Sequence, residues 1–266
     1  MLIMGKQRYL TKKLLLYEEL KNVDIKDTVI LLTSDREDIY SEIRCQLLEA
    51  ADPKQIVDIF SYSAYYDKNI FYDRIEDFAD FRIAALCAAA REIYFYNVDG
   101  ALAECGVYMG AFAKYISRFM PDRTFYLFDT FEGFPEAAIT IQEKQESPLI
   151  RSKESFKDTS VELALNNIGR HANTVVKKGF FPETAQGLED ERFAFVSLDM
   201  DLYIPILAGL EFFYPRMNPG GYIFIHDFRG GLPGVRRAVE EFCKKEKIGI
   251  VVLPDECGTA VISKPL

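Results

Sequence analysis

Short apolar runs alternate with amphipathic stretches from about residue 97 to the end of the chain. The apolar runs are ALAECGV, TFYLFD, NTVVKKG, RFAFVSLDMD, GGYIFIHDF, IGIVVL and GTAVISK. Helical patterns lie between them at about 110–119, 158–168, 204–217 and 234–246. Near-continuous apolar strands that alternate with helices are typical of an α/β fold, in which helices cover both faces of a doubly wound, mostly parallel sheet. Only PDECG separates the last two runs, which is too short for a crossover helix, so we predict that the last strand is antiparallel.

The chain before residue 97 has a different pattern, with helical stretches at 6–21, 36–51 and 74–96. One short apolar run, TVILLTSD, predicts a strand there. We therefore predict a mainly helical N-terminal extension over residues 1–96, on the substrate side, and a ligand-binding domain over residues 97–266. An aromatic-rich segment at 59–78 is interpreted as helix core or a dimer contact, with a stacking surface for an acceptor as the alternative.

Composition excludes several classes of protein. The formal net charge of −9 argues against a nucleic-acid binder and against adhesion to an acidic membrane surface. The sequence has neither the apolar run of ~18–20 residues that a membrane span needs nor the features of a signal peptide. Its five cysteines are scattered, without a CxxC pair, so no disulfide framework is expected. These features predict a soluble, cytoplasmic protein, and a homodimer is the default assembly.

Candidate functional residues follow the apolar runs, because ligands of open α/β sheets bind beyond the carboxyl ends of the strands. In chain order these residues are Glu104, Gly106, Asp129, Gly179, Asp199, Asp201, His226 and Asp227. Acidic residues predominate among them, so we expect an acidic edge of the sheet.

A glycine-containing turn follows the first run, in the stretch AECGVYMGAF. Gly106, Tyr108 and Gly110 lie in this turn, which lacks the G-x-G-x-x-G pattern of dinucleotide sites. Asp129 ends the next run, where an acid commonly accepts hydrogen bonds from ribose hydroxyls. Together they favour an adenosine-containing cofactor that need not carry a pyrophosphate. The alternatives are a purely structural glycine turn and an Asp129 that caps the turn after it.

Two pairs of potential metal ligands follow neighbouring predicted strands. Asp199 and Asp201 stand one residue apart, and residues at this spacing point to the same side of an extended strand. His226 and Asp227 end the next run. Four such groups would repel one another without a cation, so we predict a divalent ion between them. The alternatives are that Asp201 caps the following helix and that His226 is a neutral, hydrogen-bonded side chain.

Several motifs in order resemble the macrocin (TylF-type) O-methyltransferases. They are VDGALAECGVYMGAFAKYI, YLFDTFEGFPE, GFFPETA, SLDMDLYIPILAGLEFFYPRMNPGGYIFIHDF and PGVRRAVEEF, and the resemblance covers roughly residues 97–245. It implies a class I methyltransferase, with a Rossmann-like seven-stranded sheet that binds S-adenosylmethionine. It also implies a need for magnesium and an acceptor that is a sugar-containing small molecule.

The resemblance also implies roles for individual residues. Glu104 and Gly106 would line the methionine end of S-adenosylmethionine, with Tyr108, Gly110 and Gly179 in the same cofactor site, and Asp129 would bind the ribose. Asp199 and Asp227 would bind the metal, and Asp201 would be the general base. His226 departs from the family's Asp-Asp pair. Its nitrogen would make the site softer and favour Mn²⁺ or another transition ion over Mg²⁺, unless it binds substrate instead.

This assignment gives a chemically sensible methyl transfer to a sugar hydroxyl. A divalent ion would stabilise the developing alkoxide, and a nearby carboxylate would remove the proton. The long connection at 130–157 is expected to close over the site. Two other functions fit the Asp-x-Asp pair less well: a metal-dependent glycosyltransferase, and a methyltransferase-like module that binds its cofactor without catalysis.

Overall fold

The computed structural model describes residues 81–147, 150, 156–169 and 173–266, together with three short strands near the N-terminus. The chain divides into two compact units. One unit contains residues 1–78 with 170–172, and the other contains residues 79–169 with 173–266.

The first unit contains a three-stranded sheet. Its strands are β1 (Leu2–Gly5), β2 (Thr28–Leu32) and β3 (Ile56–Asp58). Strand β2 pairs with β1 in antiparallel and with β3 in parallel orientation. The strand predicted from TVILLTSD is β2, whereas β1 and β3 were not predicted. The helices predicted at 6–21 and 36–51, and the aromatic-rich segment at 59–78, lie outside the described residues.

The second unit contains a seven-stranded sheet. Its strands are β4 (Ala101–Cys105), β5 (Phe125–Asp129), β6 (Thr174–Lys178), β7 (Phe193–Leu198), β8 (Met217–Ile225), β9 (Val251–Val252) and β10 (Ala260–Ser263). Their order is β6-β5-β4-β7-β8-β10-β9. Strands β4 to β8 are mutually parallel, and β10 is antiparallel to both β8 and β9. The predicted sheet and its antiparallel last strand are confirmed.

Helices connect these strands. They are α1 (Phe81–Phe95), α2 (Ala111–Phe119), α3 (Ile141–Glu146), α4 (Val161–Ile168), α5 (Tyr203–Phe213) and α6 (Pro233–Glu246). Helix α4 begins after Ser160, whose hydroxyl accepts a hydrogen bond from the Leu163 amide at 3.1 Å. Helix α3 lies inside the predicted loop and was not expected. In the described part of the chain, no helix is long and apolar enough to cross a membrane.

Helices cover both faces of the sheet. Because successive residues of a strand point to opposite sides, each central strand contributes side chains to both helical layers. On one face, Val196 and Leu198 of β7 join a core cluster with apolar residues of α5 and α6. On the other face, Ser197 accepts a hydrogen bond from Arg82 of α1. Helix α1 therefore belongs to the second unit. The predicted N-terminal extension, residues 1–96, included this helix. The boundary between residues 96 and 97 stays a prediction.

Candidate active site

Two glycines shape the turn after β4, which we call the cofactor turn (residues 106–110). Gly106 has φ +85° and Gly110 has φ +81°, a region that favours glycine. A Cβ at Gly106 would overlap the carbonyl oxygen of Asp199. One at Gly110 would lie 2.9 Å from the carbonyl oxygen of Ala164. Both glycines therefore allow close backbone packing, and Gly106 brings the ends of β4 and β7 together.

Asp129 lies beside the cofactor turn. Its Oδ2 accepts a hydrogen bond from the Tyr108 amide at 2.8 Å, and its Oδ1 accepts one from the Phe131 amide at 2.6 Å. Gly179 donates its amide to the Asp129 carbonyl at 2.9 Å, so the end of β6 also meets this position. A carboxylate has about four acceptor sites, so capping of the turn leaves room for bonds to a ligand.

The long connection between β5 and α4 meets the cofactor turn at its far end. The Tyr108 hydroxyl donates to Asp158 at 2.9 Å, and the Tyr108 ring packs edge-on against Phe156 at a centroid distance of 5.2 Å. Phe156 also contacts Phe134, near the start of the connection, at 5.2 Å. The two ends of the segment therefore meet beside the turn. Its predicted closure over bound ligands stays a prediction.

Glu104 is a buried acid with an unused acceptor. It lies on β4, its exposed fraction is 1%, and no described residue hydrogen-bonds its Oε2. Burial raises its pKa well above the usual value, and the charge of Asp199 adds to this, although Arg82 opposes it. A buried carboxyl oxygen without a partner is costly, and a ligand's amino group would satisfy it. Glu104 therefore fits the role predicted for it at the methionine end of the cofactor.

Asp199, Asp201 and Asp227 form what we call the acid cluster. Each offers a carboxylate oxygen, and these oxygens lie within 4.8 Å of one another. Strand β7 ends at Leu198, so strand alternation does not bring the first two together. Instead, Asp201 (φ +62°) and Asp227 (φ +55°) adopt left-handed conformations that redirect the chain. Such strained non-glycine residues are concentrated at ligand clamps and active sites.

His226 bridges two members of the acid cluster. Its Nδ1 lies 3.0 Å from Asp199 Oδ1 and 3.0 Å from Asp227 Oδ2. Burial alone would lower the pKa of His226, but the Asp199 charge and hydrogen bonds to both acids outweigh it and raise the pKa to about 10. Without a metal, this environment favours the charged imidazole over the neutral one.

The acids of the cluster differ in basicity. Burial would raise the pKa of Asp199, but Arg82 and His226 outweigh it and lower the pKa to about 2. Burial raises the pKa of Asp201, and the charges of Asp199 and Asp227 raise it further. Asp201 is therefore the more basic carboxylate of the two, which is the property that a proton acceptor needs.

Arg82 is a site residue that the sequence analysis missed. Its Nη1 donates to Asp199 Oδ2 at 3.0 Å, and its Nη2 donates to Ser197 Oγ at 3.0 Å. The guanidinium lies 3.7 Å above the centre of the Phe112 ring, and the residue is only 5% exposed. Its position one helical turn before the buried Leu86 places an arginine in the buried stripe of α1. A charged residue at a buried helical position was the signal from which Arg82 could have been predicted as a site residue.

The donor set suits a divalent cation. Carboxylate oxygens are the ligands that Mg²⁺ and Mn²⁺ prefer, and the acid cluster supplies three. Neighbouring ligands of an octahedral ion with bonds of about 2.1 Å are about 3.0 Å apart. His226 Nδ1 lies at a hydrogen-bonding distance of 3.0 Å from both acid partners, which is also close enough for each pair of atoms to contact one ion. Coordination by Nδ1 would require His226 to lose its proton.

Glu143 anchors helix α3 beside the acid cluster. It is fully buried, and its Oε1 accepts a hydrogen bond from the amide of Tyr203, the first residue of α5, at 2.6 Å. Its Oε2 accepts from the Thr140 amide at 2.9 Å. Helix α5 begins two residues after Asp201, so Glu143 ties the long connection to the segment that carries this acid.

The fold and the position of the site define a class of protein. A seven-stranded sheet of this order, with the candidate site residues at the carboxyl ends of its strands, is that of the class I methyltransferases. Among solved structures, the chain is similar to the O-methyltransferase NovP, with a TM-score of 0.58, 22% identity, and coverage of 70% of this chain and 80% of that one. It is also similar to CalS11, a calicheamicin methyltransferase, with a TM-score of 0.57, 18% identity, and coverage of 87% and 94%.

The family model described as macrocin-O-methyltransferase (TylF) matches residues 78–254. The chain therefore belongs to this family, and the resemblance seen in the sequence is confirmed.

Two characterised relatives are similar over part of their length. One is the 8-demethyl-8-(2,3-dimethoxy-alpha-L-rhamnosyl)-tetracenomycin-C 4'-O-methyltransferase of Streptomyces olivaceus, 28% identical over 155 residues, or 55% of this chain and 59% of that protein. The other is the mycinamicin III 3''-O-methyltransferase of Micromonospora griseorubida, 29% identical over 157 residues, or 55% of this chain and 61% of that protein. The match thus spans about three fifths of the length of these relatives.

Proposed function

We propose that the protein transfers a methyl group from S-adenosylmethionine to a hydroxyl of a sugar-containing small molecule. The observation that carries the proposal is the meeting of the cofactor turn and the acid cluster, where the Gly106 backbone packs against Asp199. One part suits an adenosine-containing cofactor, and the other suits activation of a hydroxyl. Membership of a methyltransferase family favours methyl transfer over glycosyl transfer.

The cofactor would lie along the ends of β4 and β5. Asp129 would accept hydrogen bonds from the ribose hydroxyls, and the buried, unpartnered Glu104 Oε2 would accept one from the methionine amino group. Tyr108, Gly110 and Gly179 would line the same site. A hydrogen bond from the cofactor would explain why Glu104 is buried although its Oε2 has no partner among the described residues.

Asp199, His226 and Asp227 would hold a divalent ion, either Mg²⁺ or, because of the His226 nitrogen, Mn²⁺ or another transition ion. When bound, this ion would supply Lewis-acid stabilisation of the developing alkoxide. Asp201 would remove the proton of the acceptor hydroxyl as general base, and its raised pKa supports that role. A mere cofactor-binding module has no need of such a base.

The acceptor follows from the relatives by analogy. The names of the two relatives describe methylation of a rhamnosyl-bearing tetracenomycin and of mycinamicin III. A sugar hydroxyl on such a product would fit the metal-assisted site, since an ion held by Asp199, His226 and Asp227 suits a hydroxyl next to a second oxygen. The segment at 130–157, whose Phe156 packs against Tyr108 of the cofactor turn, would close over the reactants and exclude water.

The test is transfer of isotopically labelled methyl from S-adenosylmethionine to a panel of glycosylated macrolides, glycosylated aromatic polyketides and nucleotide-linked sugars, with Mg²⁺ or Mn²⁺. We expect label in a sugar-bearing acceptor. Asp201→Asn should lower kcat by about 10² or more while cofactor affinity is retained. Asp190→Asn, in an exposed turn, is the matched control. Cofactor binding without transfer to any member of the panel would favour the binding-module interpretation.

A further inference from the structure

Cys257 lies beside the acid cluster because of the sheet topology. It belongs to the connection between β9 and β10, and β10 runs antiparallel to β8 with Ala260 opposite Ile225. This pairing returns the connection to the edge of the sheet where β8 ends. The Arg229 amide donates to the Cys257 carbonyl at 2.9 Å, which holds the two segments together.

Three different donors meet at this point, and we call them the mixed triad: His226, Asp227 and Cys257. One ring nitrogen, one carboxylate oxygen and the Sγ atom lie within 4.8 Å of one another. Asp227 also belongs to the acid cluster, so the two groups share one ligand. Nitrogen and sulfur donors favour transition ions, whereas Mg²⁺ prefers oxygen alone.

The charges in the site favour an ion at the mixed triad over one at Asp199. The carboxylate of Asp199 is already paired with the buried Arg82 at 3.0 Å, and this cation opposes a second positive charge there. Once metal binding has displaced the thiol and imidazole protons, the mixed triad carries a charge of −2, which one divalent ion balances. An ion bound in this way leaves the pair of Arg82 and Asp199 intact.

We propose that Cys257 is a metal donor, and that the site binds a sulfur-binding transition ion such as Zn²⁺, Co²⁺ or Fe²⁺ between His226, Asp227 and Cys257. This inference rests on the metal site of the proposed function: it keeps His226 and Asp227 as ligands, gives Cys257 the place proposed for Asp199, and narrows the identity of the ion. On binding, the thiol proton and the imidazole proton pass to solvent, and no electrons are transferred.

Hydrogen bonds within the connection hold the backbone on both sides of Cys257 in place. Asp255 accepts hydrogen bonds from the Thr259 amide at 2.8 Å and from the Thr259 hydroxyl at 2.7 Å. The Gly258 amide donates to the Asp255 carbonyl at 3.1 Å. Bonds of about 2.3 Å to sulfur and 2.0 Å to nitrogen place two ligands of a tetrahedral ion about 3.5 Å apart. Donors within 4.8 Å reach that spacing through shifts of the order of 1 Å.

The experiment is titration of the metal-free protein with Co²⁺, followed by absorption spectroscopy, because a thiolate ligand gives a sulfur-to-cobalt charge-transfer band that oxygen and nitrogen ligands do not. Calorimetry with Zn²⁺ and Mg²⁺ accompanies it. The variants are Cys257→Ser and, as a matched control, Cys243→Ser, a partly buried cysteine of α6. We expect the band in the wild type and in Cys243→Ser. Cys257→Ser should lose it and bind Co²⁺ and Zn²⁺ at least about tenfold more weakly, with Mg²⁺ binding unchanged.

Two outcomes would overturn the inference, and they affect the proposed function differently. If Mg²⁺ or Mn²⁺ binds and Asp199→Ala abolishes this, but Co²⁺ gives no band that depends on Cys257, the proposed function stands and the inference is wrong. If no divalent ion binds to the wild type, the metal-assisted part of the proposed function is wrong as well.

Discussion

Replacement of Arg82 by methionine is a stringent test of how the site is held together. Methionine keeps much of the length of the side chain but removes the guanidinium. The variant loses the hydrogen bonds to Asp199 and Ser197 and the contact with the Phe112 ring. It also leaves Asp199, whose side chain is only 21% exposed, without its nearest arginine. We therefore expect a substantial loss of stability in metal-free protein.

The magnitude follows from the pKa of Asp199. Despite burial, Arg82 and His226 lower this pKa from 3.8 to about 2. At about 1.4 kcal/mol per unit, the shift corresponds to roughly 2 kcal/mol, shared between the two cations. Loss of the bond to Ser197 adds about 1 kcal/mol. Removing one partner of a buried ion pair typically costs about 3–5 kcal/mol, and because His226 remains we expect about 3 kcal/mol.

The effect depends on pH in a defined direction. A carboxyl with a lowered pKa in the folded state stabilises the protein above its unfolded pKa, and this contribution is lost as pH falls through the folded value. The part of the stability difference between wild type and Arg82→Met that comes from Asp199 should therefore be fully present above about pH 5 and shrink between about pH 4 and pH 2.

Urea unfolding followed by circular dichroism, with chelator present, measures this difference. Arg236→Met, on the exposed face of α6, is the control and should change the free energy of unfolding by less than about 0.5 kcal/mol. In an Asp199→Asn background, Arg82→Met should cost about 1–2 kcal/mol less than in the wild type. A cost below about 1 kcal/mol, or the same cost in both backgrounds, would contradict the assigned role of Arg82.

Two further substitutions test the geometry of the site. Gly106→Ala should destabilise the protein by about 3 kcal/mol or more in thermal or urea unfolding, because its Cβ would meet the backbone of Asp199, just after β7. Gly187→Ala has a similar φ of +87° but no described atom within 4 Å, so it should cost only about 1–2 kcal/mol, and equal effects would refute the close approach. Glu143→Ala should cost about 2–3 kcal/mol, because it leaves the partly buried Tyr203 amide without its acceptor, whereas Glu146→Ala on the exposed side of α3 should have little effect. Similar stabilities for these two variants would show that α3 is not anchored through Glu143.

Most of the second unit was predictable from the sequence, because its central strands are buried on both sides and form continuous apolar runs. The start of β8 was not predicted. Its first residues, MNPGG, have turn-forming residues inside a strand, and the pattern extended the preceding helix to 217. Gly221 packs against the carbonyl of Ala194, where the register between β7 and β8 shifts. The close approach of the two strands requires a glycine at this position, and glycine interrupts the apolar pattern by which a strand is predicted.

The acidic part of the site was predictable because parallel strands end at one edge of the sheet. The sequence also predicted that Asp199 and Asp201 would lie together, but for an incomplete reason, since the left-handed backbone of Asp201 brings them together rather than strand alternation. Arg82 was missed because it comes from a helix distant in sequence. Cys257 was missed although the antiparallel last strand, which was predicted, returns its connection to this edge.

The central claim is that the ends of β4 and β5 bind S-adenosylmethionine, and calorimetric titration of this cofactor tests it most directly. We expect saturable binding by the wild type and by the control Asp190→Ala. Asp129→Ala, checked for folding by thermal unfolding, should bind at least about tenfold more weakly, because it loses charge-assisted hydrogen bonds to the ribose. Absence of binding by the folded wild type, or unchanged binding by Asp129→Ala, would contradict the proposed cofactor site.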